Sequence, residues 1–133
     1  MSRTGIIHDR VRVDRVRVLI VEDSQDQREL LRRHFEMAGC DVVAAESAES
    51  AIYAYESGNL HLDLAVVDLL LPGMDGWELS GRLQLDRPDC PVVISSVLDQ
   101  ADYPPTGAAM PKPISRANVL AVLSAYVPRW IAP

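Results

Sequence analysis

Residues Leu62 to Gly73 read LDLAVVDLLLPG. From Leu64 to Val67 the apolar residues run without alternation, so the segment makes a short strand that is apolar on both faces. Asp68 follows at once and is itself followed by three leucines, a setting in which an idle charge is costly. A strand buried on both sides belongs to a parallel sheet with helices above and below it. Such sheets carry their functional groups just outside the carboxyl ends of the strands. Asp68 stands at such an end.

The same pattern repeats along the chain. VRVLIVED (Val16 to Asp23) is a β-branched run that stops in two acids. In SQDQRELLRRHFEMAG, Leu30, Leu31, His34, Phe35 and Ala38 recur at helical spacing, with Ser24 as cap and Gly39 where a left-handed residue is wanted. DVVAAE predicts a second strand and SAESAIYAYESG a helix from Ser47 to a stop at Gly58. DGWELSGRLQLD predicts a helix ended by the proline of DRPDC, PVVISS a buried fourth strand, and GAAMPKP a short fifth. SRANVLAVLSAYV closes the chain as an amphipathic helix capped by Ser115. Five strand–helix units in 133 residues predict an α/β, flavodoxin-like doubly wound sheet of five parallel strands in the order 2-1-3-4-5.

Composition narrows the function. The net charge is −6, yet the first seventeen residues hold five arginines against Asp9 and Asp14, which leaves the remainder near −9. A body so acidic argues against a nucleic-acid surface. The domain division is a basic extension over 1–15 and one folded domain over 16–133. Cys40 and Cys90 form no CxxC or Cys/His spacing and read as buried thiols, in keeping with a cytoplasmic location. No apolar run approaches the roughly 20 residues of a membrane span, and the first residues lack the apolar centre of a signal peptide.

At the predicted strand ends the chain places Glu22 and Asp23, then Asp68, then Ser95 and Ser96, and finally Lys112. Lys112 is the single lysine; the other twelve basic residues are arginine. In a 2-1-3-4-5 sheet these groups converge on one edge. Three carboxylates brought together repel and want a cation, and oxygen ligands without histidine suit Mg²⁺ rather than zinc. Taken singly, each residue has a plainer reading: a solvated loop acid, a hydroxyl capping a strand, a surface charge. Their coincidence at four strand ends outweighs those readings. There is no GxxxxGK[ST] and no GxGxxG. A haloacid-dehalogenase type of phosphatase wants a second Asp two residues beyond its nucleophile, and that position is Leu70.

VVDLLLPGMDGWEL, with VLIVED before it and PKP after it, resembles the bacterial response-regulator receiver domain over roughly Val16 to Val127. The resemblance implies that Asp68 is the phosphoacceptor, and that Glu22, Asp23, Asp68 and the Leu70 backbone carbonyl hold Mg²⁺. Ser96 would be the switch hydroxyl and Lys112 the cation that pairs with the phosphoryl group. It further implies a histidine kinase or histidine phosphotransfer protein as donor and a protein contact as output, in a domain that is not an enzyme in its own right. Apolar Leu70 and Leu98 would flank the water that hydrolyses the acyl phosphate, giving slow self-dephosphorylation. A cis Lys112–Pro113 bond is expected as well. The alternatives are a binding module of the same fold that phosphorylation does not switch, and a small Mg²⁺-dependent phosphatase.

The chain departs from the family pattern between Ser96 and Lys112. Lys112 comes only sixteen positions after Ser96, and VLDQADYPPTG holds two consecutive prolines and a glycine. Proline removes a helix donor and clashes one turn back, so the fourth helix is expected to be absent or a single turn, with a mobile loop in its place. Val97 replaces a small residue, and Ala109 stands where an aromatic is common. Tyr103 reads as a packing residue, with substitution for that aromatic as the other reading. Homodimerisation is allowed, although the face commonly used for it is altered.

Overall fold

The computed structural model describes residues 15–105 and 108–133. The basic extension assigned to 1–15 falls, Arg15 apart, outside these residues. Strand β1 (Arg17–Val21) leads to helix α1 (Gln25–Met37), β2 (Asp41–Ala45), α2 (Ala48–Ser57), β3 (Leu64–Val67), α3 (Gly76–Asp86) and β4 (Val92–Ile94). A 3-10 turn (Gln100–Asp102) and helix α4 (Arg116–Tyr126) follow. Every pairing is parallel and the order is β2-β1-β3-β4, the doubly wound α/β arrangement that the apolar strands imply.

The count of five strands needs correction, because among the described residues the sheet has four. Ala108 to Lys112 occupies the fifth position but forms a single bridge, Ile94 with Ala109. The Ile94 N–H donates to the Ala108 carbonyl (3.2 Å), Met110 N–H to Ile94 (2.8 Å) and Lys112 N–H to Ser96 (3.3 Å). Strand β4 ends at Ile94, so little backbone remains for a longer ladder. Met110 and Lys112 aim their donors at β4, which turns the Pro111 position to the open edge, where a missing N–H costs nothing. The fourth crossover helix is replaced by the 3-10 turn, as the paired prolines Pro104 and Pro105 require. The Lys112–Pro113 bond is cis.

Alternate strand residues feed two cores. Val18, Ile20, Val66 and Val93 meet Phe35 of α1 and Leu123 of α4 on one face. Leu19, Val67 and Ile94 meet Tyr55 of α2 and Leu79 and Leu83 of α3 on the other. Each helix begins at a side-chain cap: Ser24, Ser47, Asp75 and Ser115 accept from the amides of Gln27, Ser50, Glu78 and Asn118. Gly39 closes α1 at φ +90°, whereas after α2 the left-handed residue is Asn59, next to the expected Gly58. Cys40 and Cys90 are free and buried. Tyr53 is exposed and Tyr55 buried, and Trp130 folds back so that its indole N–H reaches the Ala38 carbonyl at 2.8 Å.

The amino-terminal ends of the strands are tied by Asp63. Its carboxylate accepts from Arg17 N (2.8 Å) and from Arg129 Nε (3.0 Å) and Nη2 (2.8 Å), and bonds His61 Nε2 (3.2 Å). Burial pushes its pKa up, but these hydrogen bonds outweigh that and hold it below the usual carboxylate range. A depressed carboxyl stabilises the fold above the unfolded pKa, and the contribution is lost as pH falls through the folded value. Asp63→Asn is expected to cost roughly 1–3 kcal/mol at pH 7. In urea unfolding the gap between variant and parent should narrow towards pH 3; a gap that is flat with pH would contradict the account.

Candidate functional site

The register sets the strand ends level: Val21 pairs with Val67, and Val67 with Ile94. The next residues, Glu22, Asp68 and Ser95, therefore emerge side by side. Oxygens of Glu22, Asp23 and Asp68 all lie within 4.8 Å of one another. Glu22 and Asp68 are buried, and Asp23 is exposed. Such a set of oxygen donors, open to solvent on the Asp23 side, fits a hard divalent cation.

Lys112 reaches across from the fifth position. Its Nζ donates to Glu22 Oε1 at 2.5 Å and to Asp68 Oδ2 at 3.1 Å. The other oxygens are also held: Glu22 Oε2 accepts from Ser24 N (3.0 Å), and Asp68 Oδ1 from Leu70 N (3.2 Å). Burial raises the Glu22 pKa in spite of the ammonium and the Ser24 amide. For Lys112 burial works the other way, but hydrogen bonds to the two carboxylates prevail and raise its pKa. One ammonium thus faces three carboxylates, a deficit of positive charge that a bound cation would remove.

Ser96 lies two residues beyond β4, 1% exposed. Its hydroxyl oxygen accepts the Leu98 N–H at 3.3 Å. Leu70 presents an exposed side chain beside the cluster, and Leu98 is half-buried. Beside Lys112 a groove of about 340 Å³ opens, lined by Gln27, Leu30, Val97, Lys112, Pro113 and Ile114.

Two supporting residues, Arg28 and Glu49, and one contact of a third, Tyr103, escaped the reading of the sequence. Arg28 Nη1 donates to the carbonyls of Glu22 (2.9 Å) and Asp23 (3.3 Å), bracing the loop that bears both acids. Glu49 Oε2 accepts from Met74 N (3.0 Å) and so ties the start of α2 to the loop after Asp68. Tyr103 packs on the core, as expected, but its hydroxyl also bonds the Ser96 backbone. None has a local signature; Arg28 on α1, Glu49 on α2 and Tyr103 in the loop are brought in by the placement of their elements.

A family model for the response regulator receiver domain matches residues 18–120. The chain belongs to that family. It is therefore a receiver domain of the two-component signalling class. The heme response regulator HssR of Staphylococcus haemolyticus is 40% identical over 84 residues, which make up 63% of this chain and 36% of that protein. This receiver spans 22–36% of the length of the curated relatives that it matches first. Among solved structures, a CheX–CheY–BeF3–Mg²⁺ complex from Borrelia burgdorferi contains a chain 28% identical, with a TM-score of 0.75 over 84% of this chain and 90% of that one. The response regulator TrrA of Thermotoga maritima, in complex with Mg²⁺–BeF, shares the fold at 21% identity, with a TM-score of 0.74 over 84% of this chain and 98% of that one. No helix among the described residues is long and apolar enough to cross a membrane.

The backbone of Asp68 explains why the MDG turn places a glycine at 76. A Cβ at this position would lie 2.1 Å from the Asp68 carbonyl oxygen and 2.5 Å from Leu69 Cα. Its own N–H donates to the Leu69 carbonyl at 3.0 Å, so helix α3 starts directly against the backbone of Asp68. Gly76→Ala is expected to destabilise the receiver by roughly 3 kcal/mol or more, because rigid backbone rather than a side chain must yield. Chemical denaturation checks this, with Gly81→Ala as control, since a Cβ there meets nothing within 4 Å.

Proposed function

We propose that this receiver accepts a phosphoryl group on Asp68 from a histidine kinase or histidine phosphotransfer protein. The observation that carries the reading is the placement of Asp68, buried at a strand end, with one oxygen on Lys112 and two further carboxylates beside it. Asp68 attacks the phosphorus of a phosphohistidine: an O–P bond forms, the N–P bond breaks, and the imidazole leaves. Phosphoryl transfer of this kind needs alignment and charge neutralisation more than covalent assistance. Lys112 meets the incoming oxygens, which replace one of its present carboxylate partners. Ser96 donates its hydroxyl to another. Glu22, Asp23, Asp68 and the Leu70 carbonyl would hold Mg²⁺, which supplies the remaining neutralisation when bound. The donor docks on α1 and the groove beside Lys112, where Leu30, Val97 and Ile114 provide apolar surface. The folded unit is 16–133, and its output is a contact with another protein.

A small phosphodonor with Mg²⁺ should add one phosphoryl group by intact mass, and Asp68→Asn should abolish the gain. Lys112→Met should slow it by at least tenfold, since the surviving carboxylates repel the donor. No uptake by the unaltered protein would favour the binding-module reading, and sustained turnover of a phosphoester would favour the phosphatase.

The acyl phosphate should be long-lived. Leu70 and Leu98 offer an approaching water no hydrogen-bond partner, so a variant carrying Leu70→Asn and Leu98→Gln should lose its phosphoryl group several-fold faster than the parent. Equal decay rates would show that these side chains do not govern the water.

A further inference from the structure

The crossover helix between β4 and the fifth position is missing, yet the loop that replaces it is fastened at two adjacent residues. The Tyr103 hydroxyl donates to the Ser96 carbonyl at 2.8 Å and accepts from the Ser96 N–H at 3.2 Å. One phenol thus bonds both backbone groups of a residue that is 1% exposed, and the Ser96 carbonyl accepts from Lys112 N as well (3.3 Å). Its ring packs on the core cluster that contains Leu79 and Ile94. At the neighbouring position, the Asp102 carbonyl accepts the Trp77 indole N–H at 3.0 Å. Trp77 follows Gly76, the residue that abuts Asp68, so the loop is bonded to the residues beside both the acceptor and the switch serine.

We propose that Tyr103 is a positioning residue for the switch: its hydroxyl holds the Ser96 peptide in the resting place, and movement of Ser96 toward a phosphoryl group on Asp68 releases the loop Val97–Pro105. The proposal rests on the phosphoacceptor reading of Asp68. The balance of forces allows it. Both bonds from Tyr103 are between neutral groups, and such bonds are modest in net value. A hydrogen bond from the Ser96 hydroxyl to a phosphoryl oxygen is charge-assisted and about twice as strong as a neutral one. That hydroxyl uses its oxygen in the turn with Leu98, which leaves its proton to be donated. Burial raises the Tyr103 pKa, so the phenol stays protonated and able to bridge at neutral pH. Loss of the resting bonds and gain of the new one are therefore close enough for phosphorylation to shift the loop between two states.

The test is a titration of the full chain with beryllofluoride, a mimic of the acyl phosphate, in the presence of Mg²⁺. It compares the unaltered protein, Tyr103→Phe and Asp68→Asn, and follows amide hydrogen exchange over Ser96 to Tyr103. Phenylalanine keeps the ring in the core and removes only the bridge. Because the lost bonds exist only in the resting state, the Phe variant should bind beryllofluoride about three- to tenfold more tightly. Its Ser96 amide should exchange faster without the ligand, while the unaltered protein should reach that rate only with it. Equal or weaker affinity in Tyr103→Phe, where Asp68→Asn abolishes binding, overturns the role of Tyr103 alone. No binding by the unaltered protein overturns the phosphoacceptor reading, and with it this one.

Discussion

Three carboxylates at the ends of neighbouring parallel strands are the constraint on which the rest of this molecule turns. The pairing of Val21 with Val67 and of Val67 with Ile94 leaves no freedom: once the sheet forms, Glu22 and Asp68 must emerge together, and Asp23 with them. Their repulsion is met by one ammonium, delivered from a segment 90 residues from Glu22 in sequence. An arginine would bring a broad planar fork, suited to gripping one carboxylate with two donors. Lysine brings a compact charge that rotates its donors between Glu22 and Asp68 and can turn to a newly attached group. This explains why a chain that otherwise uses arginine places its lone lysine between Pro111 and Pro113.

The features legible in the sequence were those governed by local patterning and by strand ends. Apolar strands without alternation specified a parallel sheet. Ser24, Ser47 and Ser115 announced helix starts that the caps confirm. The prolines at 104 and 105 announced a missing helix. What escaped is of another kind. The fifth strand has the composition of a strand but too little partner, since β4 stops at Ile94, and sequence periodicity carries no information about the length of a neighbour. The bracing by Arg28 and Glu49 and the bridge from Tyr103 to Ser96 are side-chain bonds to backbone atoms. Almost any residue could supply those atoms, so no spacing in the chain marks the partner.

The two ends of the sheet carry opposite electrostatic arrangements. At the amino-terminal end Asp63 is a single half-buried acid surrounded by donors from Arg17, His61 and Arg129, a satisfied node with its pKa held down. At the carboxyl end Glu22 and Asp68 share one donor side chain and Glu22 is held above its usual range. The first arrangement has nothing to gain from a ligand. The second is under-neutralised, and both a metal ion and a rearranged lysine relieve it. The same residue types thus build a staple at one end and an under-neutralised carboxylate cluster at the other, and the distinction lies in the ratio of donors to acids.

Replacing a packed helix by a loop alters what a switch can transmit. A crossover helix would move as a body, because its buried face couples every turn to the sheet. Here the described residues of the intervening segment hold one 3-10 turn, no side-chain cap on it, and the hydrogen bonds of the Tyr103 hydroxyl to Ser96 and of the Trp77 indole to Asp102. A groove of about 270 Å³ is open beside Ala109 to Pro111 and α4. On the proposal made above for Tyr103, a small change at Ser96 would free the loop, and what is released is a short irregular segment rather than a rigid helical face. On the same proposal the signal would be read where Trp77 and Asp102 meet, on the side of α3, because that is the second point at which the loop is fastened.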